Sequence, residues 1–402
     1  MSEITHFGLV VLIVAAIVAL AVFSNKLSER FPIPAPAIFL LAAAAAAQIW
    51  PRLGHQLSIK DVERVAVVAL VLILFDGGMR VGWARFRVAA APICVLGVVG
   101  TFATAGLIAL AGRYLFDFSW TGAGILGAAL APTDPAVMFS VLGRHEVGGR
   151  TGTILEGESG VNDPVGIALM IGMIEFATHA DATFWVVVRE FAVEMSVGLA
   201  VGVAGAWAIL ESLRRIHLVN PALYPLRSLA AAGVIYGVAS VAHGSGFLAV
   251  FVAGILIGDA EYPRRDDVER FHTSLASLAE VVVFVALGLS VNEVNLEPVW
   301  TDAILIALLL AFVARPLATV PLLAPLRLRW GERVFVMWSG LKGAVPILLA
   351  AFALLQGAGG AERIYAIVFV VVAFSVIFQG GSVPFAARKL GVPMRIVYRE
   401  PG

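Results

Sequence analysis

Apolar stretches long enough to cross hydrocarbon dominate this chain. A bilayer-spanning helix needs about 20 mostly apolar residues. Thirteen stretches approach that length, at about 4–24, 35–50, 62–79, 88–112, 119–142, 151–178, 184–211, 224–243, 246–260, 270–290, 298–324, 332–356 and 363–386. In hydrocarbon every backbone polar group must be satisfied internally, which leaves helices or a closed barrel. Continuous apolar runs of this length point to helices, so the expected fold is all-α and polytopic, one transmembrane unit over residues 1–402. Composition agrees, with 60% hydrophobic and only 14% charged residues, against about 25% charged in soluble proteins. The first stretch exceeds the apolar core of a signal peptide, about 7–15 residues, and lacks a basic flank, so it reads as the first span. The stretches at 35–50 and 246–260 are short enough to be tilted or partly re-entrant.

Charge placement tests this count, because Lys and Arg concentrate in cytoplasmic loops. With the N-terminus outside, the inner segments hold twenty basic residues, from Lys26 and Arg30 through Arg80, Arg85 and Arg87 to Arg388, Lys389, Arg395 and Arg399. The outer segments hold five, Arg52, Lys60, Arg64, Arg113 and Arg363, and three more, Arg189, Arg315 and Lys342, fall inside spans. An odd number of spans with the C-terminus cytoplasmic follows. A formal net charge of zero and no long basic arm argue against a nucleic-acid partner. The single Cys94 excludes an internal disulfide and, in ICVLGVVG, reads as a packing residue.

A weak internal echo relates the two halves. LILFDGGMRV and VFVALGLSVN place Gly78 and Gly288 alike, and 55 residues beyond each lie Thr133 in LAPTDPAV and Gly343 in GLKGAVPI. Interrupted helices in corresponding places point to a transporter's binding site, and an offset of seven spans makes the repeats inverted.

The remaining signal is charge where it should not be. An ionisable group at mid-bilayer costs about 2.5–3.5 kcal/mol even on lenient scales, so each needs a partner or a function. In GESGVNDP, Asp163 lies near the midplane of its span, and Ser159, Asn162 and Asp163, three to four residues apart, share a helix face. APTDPAV adds Thr133 and Asp134 between Pro132 and Pro135, prolines that free backbone carbonyls. Carboxylate, hydroxyl and carbonyl oxygens without Cys or His suit a hard cation. Asp76 in LFDGG either adds an oxygen, lines a cytoplasmic funnel, or pairs with nearby Arg80. Glu156 is expected to pair with Arg150, Glu280 with Arg315, and Glu158 with Lys342, the rival being Lys342 paired with Asp163 or Asp134. None of the seven His residues is assigned chemistry.

At these residues the chain resembles the monovalent cation/proton antiporters, in the branch holding the NhaP-type sodium/proton antiporters, the cell-volume-regulation potassium/proton antiporters and the animal sodium/proton exchangers. LFDGG, APTDPAV, GESGVNDP, SLAEVVVFVALG, ARPLA and GLKGAVPI look like that family's motifs in the same order, over about residues 5–390. The resemblance implies a fold like that of NhaA, thirteen helices in two inverted repeats with crossed unwound helices. It implies a core domain, mainly the spans within 62–178, 270–290 and 332–386, and a dimerisation scaffold from the rest, in a homodimer. It assigns Asp163 as the central cation and proton site, Thr133, Asp134 and Ser159 as ligands, and Glu158 bridged to the basic residue of GLKG. The Asn162–Asp163 pair looks like the electroneutral branch. Lys342 stands where this branch usually has Arg, which loses the bidentate fork. With the last span followed by about 15 residues, no cytoplasmic regulatory domain is expected.

The expected activity is electroneutral exchange of Na⁺ or K⁺ for H⁺ by alternating access, in a bacterial or archaeal plasma membrane. No enzyme activity and no cofactor are expected, only the transported ions. A cation channel of the same residues is an alternative. So, remotely, is an intramembrane serine protease with Ser159 of GESG as nucleophile, which requires a histidine base within reach; His243 is the only candidate near a span.

Overall fold

In the computed structural model the described residues are 34–49, 58–142, 145–178, 184–293 and 296–396, with Gly8 and Ala19 besides. The expected span at 4–24, together with Lys26, Arg30 and Arg52, lies outside them. The other twelve expected spans all coincide with helices. In chain order these are α1 (Ala35–Ile49), α2 (Ile59–Cys94), α3 (Thr101–Leu115), α4 (Trp120–Leu130), α5 (Pro135–Leu142), α6 (Gly149–Thr178) and α7 (Phe184–Arg215). There follow α8 (Leu223–Val241), α9 (Gly246–Gly258), α10 (Arg265–Leu289), α11 (Trp300–Leu309), α12 (Arg315–Leu323), α13 (Trp330–Trp338), α14 (Ala344–Leu355), α15 (Ala361–Phe374) and α16 (Gly381–Lys389). Among the described residues, six helical runs are long and apolar enough to cross a membrane, and four shorter apolar helices, α1, α4, α9 and α14, accompany them.

Among the described residues sixteen helices make twelve spans, because four spans are each divided in two. Helix breaks divide those at 119–142 and 332–356, and π-helical joints those at 298–324 and 363–386, with a third such joint inside the span at 88–112. π-helical turns at Val95–Gly100, Leu310–Ala314 and Ser375–Gly380 interrupt the α-helical pattern without ending the rod, so α2 with α3, α11 with α12, and α15 with α16 run on. The run Ile59–Leu115 has 57 residues, about 86 Å if straight, nearly three hydrocarbon thicknesses. It is divided at Gly82, whose φ of 65° leaves the helical region, so the stretches at 62–79 and 88–112 are joined by a bend. Glycine is required there twice over. The conformation is left-handed, and a Cβ would lie 2.7 Å from the Asp259 carboxylate. That carboxylate accepts from the Ala84 N–H at 2.6 Å, capping the restarted helix from α9's C-terminal end.

The all-α expectation needs one small correction: β1 (His145–Val147) pairs antiparallel with β2 (Met394–Ile396). Both are short extended segments flanking helices, and pairing satisfies backbone groups that neither helix can reach.

The core sits around α6, which packs against α2, α4, α7 and α14. Every residue from Gly157 to Met170 is buried, including all the polar ones. By contrast α7 turns Trp185, Leu199, Val203 and Trp207 outward, at 48–73% exposure. An apolar side chain standing outward on a long apolar helix is expected where the surrounding solvent is lipid.

Candidate functional site

Two helices fail at the same place. The rod that begins with α4 stops at Leu130 and resumes at Pro135, while the rod that begins with α13 stops at Trp338 and resumes at Ala344. In the first, Pro132 and Pro135 deny the backbone two donors. The second carries Gly340 and Gly343, which disfavour helix. Freed backbone groups from the two breaks find each other, with the Asp134 N–H donating to the Leu341 carbonyl at 2.8 Å. The approach is close enough that a Cβ on Gly343 would stand 1.9 Å from Asp134 Oδ2.

The polar face of α6 closes over this crossing. Asn162 clamps Thr133 from both sides: its Nδ2 donates to Thr133 Oγ1 at 2.7 Å, and its Oδ1 accepts from the Thr133 N–H at 3.3 Å. Ser159 donates its hydroxyl to the Thr133 carbonyl. Asp163, 5% exposed, keeps Oδ1 without a hydrogen-bond partner among the described residues. The charged groups acting on it are Asp134 and Lys342. Hydrogen bonds thus join Thr133, Ser159 and Asn162, and Asp134 and Asp163 lie near enough to act on each other beside them.

Lys342 lies in the second break, 1% exposed. Its Nζ donates to the Ala131 carbonyl at 2.9 Å and the Pro132 carbonyl at 2.8 Å, and its N–H donates to Ser375 Oγ at 2.9 Å. An ammonium has three donors and no planar fork, and converging carbonyls suit it. The expected bridge from Glu158 to Lys342 is therefore corrected. Glu158 instead accepts from Arg315 at 2.6 Å, with both side chains at most 3% exposed. The guanidinium, less strongly hydrated than an ammonium, is the better partner for a dry carboxylate.

The expected Glu280–Arg315 pair fails for the same reason, since Arg315 is engaged by Glu158. Glu280 Oε1 has no hydrogen-bond partner among the described residues. Both Asp76 oxygens are engaged: Arg80 Nε donates to one at 2.7 Å and Thr273 Oγ1 to the other at 3.0 Å. Glu156 faces Arg85 at 3.8 Å.

Sequence reasoning missed the props of the second break. Ser375 and Gln379 stand four apart on the π-helical turn; Ser375 donates to Gln379 Oε1 at 3.0 Å, and Gln379 Nε2 donates to the Trp338 carbonyl at 2.7 Å. The signal was present in VAFSVIFQGG, two polar side chains at helical spacing in an apolar run. Thr273, the partner of Asp76, was missed for want of any pattern around it.

A family model described as sodium/hydrogen exchanger, transmembrane, matches residues 12–389. The chain is similar to the K(+)/H(+) antiporter NhaP of Alkalimonas amylolytica, 34% identical over 393 residues, 96% of this chain and 68% of that protein. It is also similar to the Na(+)/H(+) antiporter NhaH of Halobacillus aidingensis, 28% identical over 347 residues, 83% of this chain and 85% of that protein. Among solved structures, the sodium proton antiporter MjNhaP1 from Methanocaldococcus jannaschii superposes with a TM-score of 0.79 at 22% identity, covering 94% of this chain and 100% of that one. At that identity the likeness is one of fold, and it agrees with the all-helical membrane architecture.

Proposed function

This chain belongs to the sodium/hydrogen exchanger family of transmembrane cation/proton antiporters, and we propose that it exchanges one Na⁺ or K⁺ for one H⁺ electroneutrally by alternating access. The observation that carries the reading is the Asp163 oxygen, buried and without a hydrogen-bond partner among the described residues, beside the point where the two helix breaks meet. A carboxylate in such a place binds either a proton or a cation, and exposure to each side in turn couples the two flows.

Formal charges support one-for-one exchange. Glu158 and Arg315 cancel within their pair. Asp134 and Asp163 against Lys342 leave the pocket one negative charge in excess, which one cation or one proton neutralises. Thr133 and Ser159 supply further oxygens beside Asp134 and Asp163, with Asn162 holding the Thr133 backbone. The breaks at 131–134 and 339–343 are read as corresponding unwound segments of two inverted repeats. On this reading the helices around α6 and α14 form a moving core and the outward-facing α7 belongs to a scaffold of a homodimer in the plasma membrane, with the C-terminus cytoplasmic.

A channel needs no titrating acid at a crossing of two breaks. The protease alternative has no support, since the Ser159 hydroxyl donates to a backbone carbonyl and not to a histidine. Relatives at 31–34% identity are named potassium/proton antiporters and one at 28% a sodium/proton antiporter, so both ions belong in the assay.

The test is exchange in proteoliposomes carrying an internal pH dye, with Na⁺ and K⁺ pulses. Asp163→Asn should abolish cation-driven proton movement while leaving the detergent melt intact. Wild-type exchange should ignore an imposed membrane potential and give only transient binding currents on a solid-supported membrane. Retained exchange in Asp163→Asn would refute the site, and a sustained current would refute the stoichiometry.

A further inference from the structure

Glu280 is an intramembrane carboxylate left without a role. It lies sixteen residues into α10, which packs against α1, α2, α8 and α14. Its Oε1 is shielded and has no hydrogen-bond partner among the described residues. Charge compensation from its neighbours is sparse. Helices α1 and α14 carry no charged residue. On α2, Arg80 already holds Asp76. The charged groups acting on Glu280 are Asp134 in the first break and, more weakly, Arg80.

The surroundings of Glu280 form a seam. Seven residues, about two turns, separate it on α10 from Thr273, which holds Asp76 near the Arg80 end of α2. One turn beyond it, Val283 joins Ala66, Leu70 and Ile73 of α2 and Ala344, Val345 and Leu348 of α14 in lining a small cavity with room for about one water. Ala344 is the first residue of α14, next to Gly343, which touches Asp134. An orphan carboxylate oxygen, a cavity one turn away, and a break that opens on the transport pocket thus occur in sequence along one helix interface.

We propose that Glu280 is an access site for the transported cation, a carboxylate where Na⁺ or K⁺ halts between the Asp76–Arg80 end of the α2–α10 seam and the pocket of Asp134 and Asp163. The proposal rests on the antiporter reading above. A carboxylate not committed to an ion pair attracts a cation without holding it permanently, and Asp134 lies next along the seam. The apolar cavity walls leave Glu280 as the seam's only anionic stop between Asp76 and Asp134 among the described residues. Removing its charge should weaken capture of the cation and leave the exchange step at Asp163 intact.

The experiment compares wild type, Glu280→Gln, Glu280→Asp and Ile73→Phe in proteoliposomes, titrating NaCl and KCl and reading half-saturating concentration and maximal rate separately. Glu280→Gln should raise the half-saturating concentration about five-fold or more with less than a two-fold change in maximal rate. Glu280→Asp should recover most of the loss, and Ile73→Phe, which narrows the seam with Glu280 in place, should act in the same direction. An unchanged half-saturating concentration in Glu280→Gln overturns the proposal. So does loss of maximal rate with unchanged half-saturation, the mark of a structural carboxylate. If Glu280→Gln does not fold, Ile73→Phe and Glu280→Asp decide by the same criterion. Absence of cation/proton exchange in wild type would instead overturn the antiporter reading itself, and this proposal with it.

Discussion

Substituting Glu158 by Gln leaves Arg315 buried, 3% exposed, with its charge uncompensated. The guanidinium is already short of partners, since its Nε makes no hydrogen bond among the described residues, and the 2.6 Å contact to Glu158 is the ion pair that compensates it. Removing one member of a buried pair costs about 3–5 kcal/mol. For soluble proteins the unfolding entropy is about 2.1 cal/mol/K per residue, or roughly 0.8 kcal/mol/K over 402 residues. The loss then corresponds to a fall in melting temperature of at least about 4 °C. A membrane protein that keeps its helices on melting has a smaller entropy change, so the observed fall should exceed that. Fluorescence-detected melts in detergent on four proteins, wild type, Glu158→Gln, Arg315→Gln and the double variant, give the coupling. The double variant should recover more than half of the single losses, because no naked charge remains. A control cycle pairs Glu158→Gln with Lys342→Gln, and there, with no direct ion pair between the two among the described residues, the coupling should be much the smaller. Coupling of Glu158 to Lys342 with none to Arg315 would refute the assignment of the pair and return Lys342 to the structural bridge expected from sequence.

Gly343→Ala puts a methyl 1.9 Å from Asp134 Oδ2; exchange should fall at least ten-fold while the helical circular dichroism is unchanged, and wild-type exchange in this variant would contradict the crossing geometry. Asn162→Ala removes both contacts to Thr133, leaving a buried N–H unpaired at a cost of about 1–3 kcal/mol. The melt should drop and the half-saturating cation concentration should rise together, as read by the same detergent and proteoliposome assays.

The sequence disclosed the twelve helical stretches that fall within the described residues, because apolar length is a one-dimensional property. It also disclosed the pocket residues on α6, because Ser159, Asn162 and Asp163 are bound to one face by helical spacing alone. Thr133 and Asp134 were legible from the prolines around them. The ion pairs were not, because pairing across spans depends on how helices rotate and cross. Lys342 and Arg315 are both intramembrane cations, and no local pattern says which faces Glu158. The bend at Gly82 was hidden for a similar reason, since its cap comes from Asp259, 175 residues away.

The corrected pairing alters what the broken helices are for. Carbonyls freed by Pro132 and Pro135 looked like ligands for the transported cation, yet those of Ala131 and Pro132 are taken by the Lys342 ammonium. The Thr133 carbonyl is taken by Ser159. A protein cation thus occupies backbone oxygens of the first break, so the proposed site for an ion that comes and goes turns on the Asp163 oxygen that has no hydrogen-bond partner among the described residues. Lys342 is held on neutral carbonyls in the crossing while Glu158 is engaged by Arg315, and the ammonium acts on Asp163 from there. On the proposed antiporter reading, the formal count of Asp134 and Asp163 against Lys342 then leaves a single exchangeable charge, and that count depends on which cation the crossing holds.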